Sequence, residues 1–346
     1  MKIAVNQKSN DKNAIYIFDN ESLDELLELN MHCVHKDYID EVDINTTDYD
    51  IECMKQCKIG DKDWNKLPKK VNYKIGIIIP NYNYEHTIEK CLNSIFNQTY
   101  QNYEIIFVDD MSTDKSVQIA SKTYGKFLDK QTMDKDFGEL KIIKLKQKRL
   151  NGGARNEAYL HLSDDVDYVY YVDSDDWLYD ENALEKINNK LQTKPDVLFV
   201  GMASYRNDTL HPNCYIPNYK DKYEAIRGWS GSCGKVIKKE LAIRQECLYN
   251  EGTLKEDRNQ HCKICIYMNS FKLLQEPIYV WNQQNHKSVT TIREKVIWGT
   301  STIRHYADTL QLALSVKGQD PKIDSYLNER VQRCKREMET NGDRQW

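Results

Sequence analysis

The chain has 346 residues, enough for one large α/β domain with additions or for two domains. Its 53 acidic against 49 basic side chains leave a net charge of −4, which argues against a chain-wide basic surface for nucleic acid. No apolar segment approaches the roughly 20 residues that a membrane span needs, and Met1 to Asp11 lacks the apolar stretch of a secretion signal.

Residues 1–70 read as a small α/β extension, with strands at Lys2 to Val5 and Ile15 to Phe18 and a helix from Asp24. Pro68-Lys69-Lys70 marks its boundary. From Ile75 to Val200, short apolar runs alternate with amphipathic stretches, the pattern of repeated βα units and a mainly parallel sheet. Strands are expected at Ile75 to Ile79, Glu104 to Val108, Lys141 to Leu145, Tyr168 to Val172 and Val197 to Val200. Helices are expected near Glu85 to Phe96, Asp114 to Tyr124, Gly153 to Leu162 and Glu181 to Leu191, with Asn151 capping the third. Gly152 and Gly153 would let a ligand approach that helix N-terminus, a natural anion site. After Thr291 the pattern is helical to the end (residues 292–346), broken near Gly318 to Pro321, with Arg330, Arg333, Lys335 and Arg336 late in the tail.

Ten cysteines in so long a chain are not the framework of a small secreted domain, so thiols in a reducing cytoplasm are expected, with peripheral membrane attachment left open. Cys262-x-x-Cys265 after His261 has metal-like spacing, but it falls in a helical pattern where positions i and i+3 simply share a face.

Tyr168 to Val172 is an apolar, aromatic and β-branched run suited to a buried strand, and it ends in Asp173-Ser174-Asp175-Asp176. In open α/β sheets, ligands bind beyond the carboxyl ends of the strands. Hard carboxylate ligands suit Mg²⁺ or Mn²⁺ bound together with a substrate phosphate. Taken alone, the tetrad reads equally as a cation site or as an acidic turn opening a helix. Pro80 should end the first strand and expose Tyr82, whose ring can stack on a base. The second strand delivers Asp109 and Asp110 to the same edge, whereas Asp114 reads as a helix cap.

The ordered series Ile77-Ile78-Ile79-Pro80-Asn81-Tyr82-Asn83, Ser94-Ile95-Phe96-Asn97-Gln98-Thr99-Tyr100, Val108-Asp109-Asp110-Met111-Ser112-Thr113-Asp114, Ala154-Arg155-Asn156 and Asp173-Ser174-Asp175-Asp176 resembles the family 2 glycosyltransferases, which have the GT-A fold. The resemblance covers about Lys74 to Thr291, with Met111 standing where the family usually has Gly. It implies a glycosyltransferase domain over 71–291, with the nucleotide sugar bound by 71–200 and the acceptor and base carried by 201–291.

The resemblance assigns Tyr82 and Asp110 to the nucleotide base and Asp173 to ribose, donor sugar or metal. Asp175 would hold the metal, with Asp176 sharing that duty, while Arg155, Ser174 and the loop-shaping Pro80 would border the donor. The segment Leu248 to Asp257 resembles the family's stretch ending in Glu-Asp, so Asp257 would be the general base and Glu256 would orient it or the acceptor. Trp281 and His286 to Thr291 resemble the closing aromatic and Ser-x-Thr segment. Met202 to Trp229, with Tyr205, Tyr215, Tyr219 and Tyr223, is the expected acceptor-shaping region.

The resulting expectation is a metal-dependent, inverting transferase that moves a sugar from a nucleotide diphosphate donor, a UDP-sugar first, to a hydroxyl on a saccharide or glycoconjugate. Sugar nucleotidyl transfer, a nucleic-acid acceptor and an inactive binding module remain the rival readings. The donor sugar, the acceptor and the oligomeric state are not legible in the sequence.

Overall fold

The computed structural model describes residues 71–129, 138–284 and 295–342, together with three short strands nearer the N-terminus. Two compact units divide the chain, residues 1–72 with 188–194 and residues 73–187 with 195–346.

In the first unit, β1 (Ile3–Val5), β2 (Ile15–Phe18) and β3 (Cys33–His35) form a parallel sheet in that order. The first two are the expected strands. The expected helix from Asp24 lies outside the described residues.

The second unit is built on a mixed sheet. In chain order the elements from residue 75 are β4 (Ile75–Asn81), α1 (Ile88–Phe96), β5 (Tyr103–Asp109), α2 (Ser116–Leu128), β6 (Glu139–Lys144), α3 (Leu150–Tyr159), β7 (Tyr168–Tyr171), β8 (Trp177–Leu178) and α4 (Ala183–Leu191), whose last residues, from Asn188, fall in the first unit. They continue as β9 (Val197–Arg206), β10 (Thr209–Tyr215), α5 (Lys222–Ala225), β11 (Lys235–Lys238), α6 (Lys239–Ala242), α7 (Glu256–Tyr267), β12 (Phe271–Asn282), α8 (Lys295–Ser315) and α9 (Pro321–Gly342). The strand order is β6-β5-β4-β7-β11-β9-β12-β8, with β10 paired outside this path to β9.

The first four strands of that order are mutually parallel, as the βα pattern requires. All residues of β4, β5 and β7 are buried, which explains their continuous apolar runs. The chain leaves β4 on one side for β5 and β6 and then returns to its other side as β7. That reversal is a topological switch point, where adjoining strand ends leave a crevice. β11 runs antiparallel to both β7 and β9, so the second half is mixed rather than uniformly parallel. There β9 and β12 pair in parallel over most of their length.

Two expectations about local structure need correction. β4 runs through Pro80 to Asn81 instead of stopping, with Pro80 in register with Val108 of β5. Pairing with β7 ends at Ile78 opposite Tyr171, and the Ile78 carbonyl accepts from Val172. Residues i and i+2 of a strand direct their peptide groups the same way, so the missing N–H of Pro80 falls where β7 has already ended. Helix α3 begins at Leu150 and includes Asn151, so Asn151 is not its cap. Its N-terminus is capped by Asp110, the residue after β5.

The core links the sheet to the C-terminal helices. Ile78, Val169, Tyr171 and Phe199 belong to one buried cluster with Cys262 and Cys265 of α7 and with Leu312, Ile323, Tyr326 and Leu327 of α8 and α9. The helical tail therefore shares the hydrophobic core of the second unit. Cys262 and Cys265 are buried on one helix face, and no cluster of three metal-ligating side chains occurs among the described residues. No helix among these residues is long and apolar enough to cross a membrane.

Candidate active site

Beyond the ends of β4 and β7 lies a cavity of about 330 Å³ lined by Asp173, Asp175, Arg155, Glu256, Asp257, Trp229 and Trp281, among others. Pro80, Ser174 and Asp176 also border it, so eight of the ten residues expected from sequence meet here. Tyr82 and Asp110 lie outside its lining.

Helix α3 brings the two acidic groups together. Gly152 and Gly153 let it pack closely on the segment before α7: an added Cβ on Gly152 would stand 2.7 Å from the Asn250 carbonyl oxygen, and one on Gly153 would stand 3.1 Å from Glu251 Oε2 and 2.4 Å from the Cβ of Arg149 at the start of α3 itself. These glycines serve helix packing rather than the expected approach of a ligand. Asn156 clasps the same segment, donating to the Tyr249 carbonyl at 3.0 Å and accepting from the Tyr249 N–H at 3.0 Å. Arg149 closes the joint through Glu251 at 2.6 Å and Glu157 at 2.6 Å.

One turn further along α3, the buried Arg155 reaches both cavity walls. Its Nη2 donates to Asp173 Oδ1 at 2.8 Å, and its Nη1 donates to Glu256 Oε1 at 2.9 Å and Asp257 Oδ1 at 3.3 Å. Burial alone would lower the guanidinium pKa, but the carboxylates of Asp173, Asp257 and Glu256 outweigh it and hold the group charged. Glu256 is pushed up to about 7, chiefly by burial and secondly by the adjacent Asp257, against the pull of Arg155. Asp257 is more open, with a side-chain exposure of 39%.

Three of the expected residues are engaged by hydrogen bonds within the protein. Ser174 was expected to touch the donor, yet its hydroxyl is buried and donates to the Pro80 carbonyl at 2.8 Å. Asp176 was expected to share a metal, but its two oxygens accept from Tyr279 Oη at 2.5 Å and the Asn282 N–H at 2.7 Å. These bonds use Asp176 to fix the end of β12. Its pKa is raised well above the ordinary value by burial, with Asp175 and Asp173 adding to the shift. Asp110, expected at the nucleotide base, accepts the N–H groups of Arg149 at 2.7 Å and Leu150 at 2.9 Å, capping α3.

Tyr82 is exposed at the end of β4 with the Lys148 ammonium over its ring. Burial lowers the Lys148 pKa to about 8, opposed by Asp110. Asp114 behaves as expected, accepting the Ser116 N–H at 2.9 Å at the start of α2. Met111, in the position where glycine was expected, has a left-handed backbone with φ 65°. That conformation explains why a residue lacking Cβ suits the site.

Sequence reasoning missed Ser232 and Lys235, and placed Trp229 only as the end of the expected acceptor-shaping segment. Trp229 faces Trp281 with ring centroids 6.1 Å apart and packs edge-on against Tyr215 at 5.1 Å. Tyr219 accepts the Trp229 N–H at 3.1 Å, and Trp229, the last residue of the expected acceptor-shaping region, lines the cavity. An isolated tryptophan among small residues gave no periodic signal. The segment from His286 to Thr291 lies outside the described residues.

A mixed sheet with its crevice at the β4/β7 switch point, carboxylates at both walls and helices on its faces defines a GT-A glycosyltransferase fold. Residues 76–245, just under half of the chain, match the model for glycosyl transferase family 2. Glycosyltransferase GlyA of Streptococcus pneumoniae is 27% identical over 236 residues, covering 61% of this chain and 31% of its own. An Escherichia coli protein, UDP-Glc:alpha-D-GlcNAc-diphosphoundecaprenol beta-1,3-glucosyltransferase WfgD, is 35% identical over 117 residues, covering 33% of this chain and 39% of its own. S. aureus TarS 1-349, solved in complex with UDP-GlcNAc, superposes with a TM-score of 0.58 at 20% identity, covering 75% of this chain and 70% of its own. The matched region spans less than half of either sequence relative.

Proposed function

We propose that this protein is an inverting glycosyltransferase that moves a sugar from a nucleotide diphosphate donor, a UDP-sugar first, to a hydroxyl of a saccharide or glycoconjugate. The observation that carries this reading is a cavity in which Asp173 and Asp175 face Glu256 and Asp257 across Arg155. A one-step displacement needs a group that takes the acceptor proton on one side and groups that hold the departing diphosphate on the other. WfgD, whose name specifies UDP-Glc, and the UDP-GlcNAc complex of TarS support the choice of uridine donors.

In this mechanism Tyr82 presents the face not covered by Lys148 to the nucleotide base, and Asp110 holds the start of α3 beside it. Asp173 fixes ribose or donor sugar through its remaining oxygen while Arg155 pins the other. Asp257 accepts the proton of the attacking hydroxyl, and Arg155 keeps its carboxylate aimed at the cavity. Glu256, neutral or charged near pH 7, adjusts the field around that base. Trp281 and Trp229 offer apolar faces to a pyranose.

A divalent cation fits the donor wall, because Mg²⁺ is commonly held by one or two carboxylates with substrate phosphates and water completing its shell. Asp175, with Asp173 beside it, would hold Mn²⁺ or Mg²⁺, which when bound offsets charge developing on the diphosphate.

The test is to incubate the full chain and Mn²⁺ with UDP-glucose, UDP-GlcNAc, UDP-galactose and GDP-mannose, with and without simple saccharides. Released nucleoside diphosphate is the expected product. Released pyrophosphate would instead indicate nucleotidyl transfer, and nucleotide binding without turnover would indicate a binding module. Turnover indifferent to EDTA would remove the metal from the scheme.

A further inference from the structure

A one-turn 3₁₀ helix, Ser232–Gly234, leads into β11 under the cavity. It is anchored by Lys235, a buried lysine whose ammonium donates to the carbonyls of Ser230 at 3.0 Å and Gly231 at 2.7 Å. These bonds fix the backbone immediately before Ser232. The Ser232 hydroxyl is buried and lies 2.5 Å from Asp257 Oδ1 and 2.6 Å from Tyr249 Oη. An ionised carboxylate can only accept, so the serine proton points to Asp257 and the serine lone pair receives the tyrosine proton. The direction Tyr249 to Ser232 to Asp257 is therefore forced.

Tyr249 is in turn held in place. Its ring sits edge-on to Tyr171 with centroids 5.8 Å apart, and the Arg155 guanidinium lies 5.2 Å from its centroid. Arg155 also reaches Asp257 through the same Oδ1, at 3.3 Å. Among the described residues, both side-chain bonds to Asp257 thus end on one oxygen.

We infer that Ser232 is a positioning residue for the reaction: with Arg155 it commits Oδ1 of Asp257 to the protein and leaves Oδ2 to take the acceptor proton. The inference rests on the transfer chemistry proposed above and adds the identity of the accepting atom. As the acceptor oxygen forms its bond to the anomeric carbon, the bond from that carbon to the phosphate oxygen breaks. The diphosphate leaves with that electron pair, and the acceptor proton passes to Oδ2. Without Ser232, the carboxylate keeps only the longer Arg155 bond and can rotate Oδ2 away from the line of attack.

The experiment uses the full-length protein with Mn²⁺ and whichever of the four nucleotide sugars the wild type turns over fastest, and reads released nucleoside diphosphate. Ser232→Ala should lower kcat by about ten- to a hundredfold, the scale set by a misplaced reacting group. The donor KM and the calorimetric affinity for UDP should remain within about twofold, because binding on the donor wall does not use this hydroxyl. Ser232→Thr keeps the donor group and should return kcat to within about threefold of wild type.

Wild-type kcat in Ser232→Ala would overturn the inference. Equal loss in the alanine and threonine variants with UDP affinity intact would also overturn it, because space rather than the hydroxyl would then be at issue. Asp257→Asn separates this outcome from failure of the parent reading. If that variant turns over normally, the base assignment falls; if it is inactive while Ser232→Ala is normal, only the role of Ser232 falls.

Discussion

Replacing Arg155 with methionine removes one buried cation from among three carboxylates and keeps much of the side-chain volume. Glu256 is the partner that decides the magnitude, because its side chain and that of Arg155 are exposed by only 5% and 1%. Breaking a buried ion pair by removing one member costs about 3–5 kcal/mol, since the other charge stays behind without compensation. Asp173 and Asp257 have side-chain exposures of 32% and 39%, so water screens them and together they add about 1 kcal/mol at most. At roughly 2–4 °C per kcal/mol for a domain of this size, Arg155→Met should melt roughly 6–24 °C below wild type at pH 8. The deficit should shrink at pH 5.5, where Glu256 is protonated in both proteins and no longer needs a counter-charge. Thermal unfolding followed by circular dichroism at the two pH values measures both effects. A deficit below about 1 kcal/mol at pH 8, or one independent of pH, would refute the claim that Arg155 offsets buried negative charge.

Glu256→Gln tests the same environment from the other side. The wild-type carboxyl titrates near 7 in the fold against its ordinary 4.5, so the folded state binds more protons between these values and stability falls as pH rises through that window. Glutamine should remove that slope, which is worth at most about 3 kcal/mol and is measured by urea unfolding at pH 5 and pH 8. Met111→Gly should raise stability by about 0.5–1 kcal/mol, because relief of a left-handed backbone exceeds the added freedom of the unfolded glycine. A lower urea midpoint would contradict this account. Asp176→Asn should lose about 1–3 kcal/mol, since one amide oxygen cannot replace both acceptors of Tyr279 and Asn282. Its Mn²⁺ concentration for half-maximal turnover should stay near wild type, whereas Asp175→Asn should raise that concentration more than tenfold. Equal shifts in both variants would return Asp176 to the metal.

The parallel strands β4, β5 and β7 were legible because their burial on both faces leaves continuous apolar runs, and Tyr168 to Tyr171 is a strand as its composition requires. The extension of β9 to Arg206 and its hairpin with β10 were not, because β10 is largely exposed and carries Pro212, and so lacks the apolar signal of a buried strand. In the site, residue types at the strand ends were legible, but their hydrogen-bond partners were not. Asp110, Ser174 and Asp176 look equally suited to a ligand until the Arg149 and Leu150 N–H groups, the Pro80 carbonyl and Tyr279 are seen to engage them.

The joining of the two walls was equally hidden, because Arg155 lies 18 residues from Asp173 and 101 from Glu256. Only the packing of α3 against the segment before α7, permitted by Gly152, brings these distances to a single side chain. The consequence is electrostatic. A guanidinium shared by Asp173 on one wall and by Glu256 and Asp257 on the other cannot strengthen its hold on one without altering the field at the rest. Charge drawn to the donor wall must therefore be felt at the carboxylate proposed to take the acceptor proton.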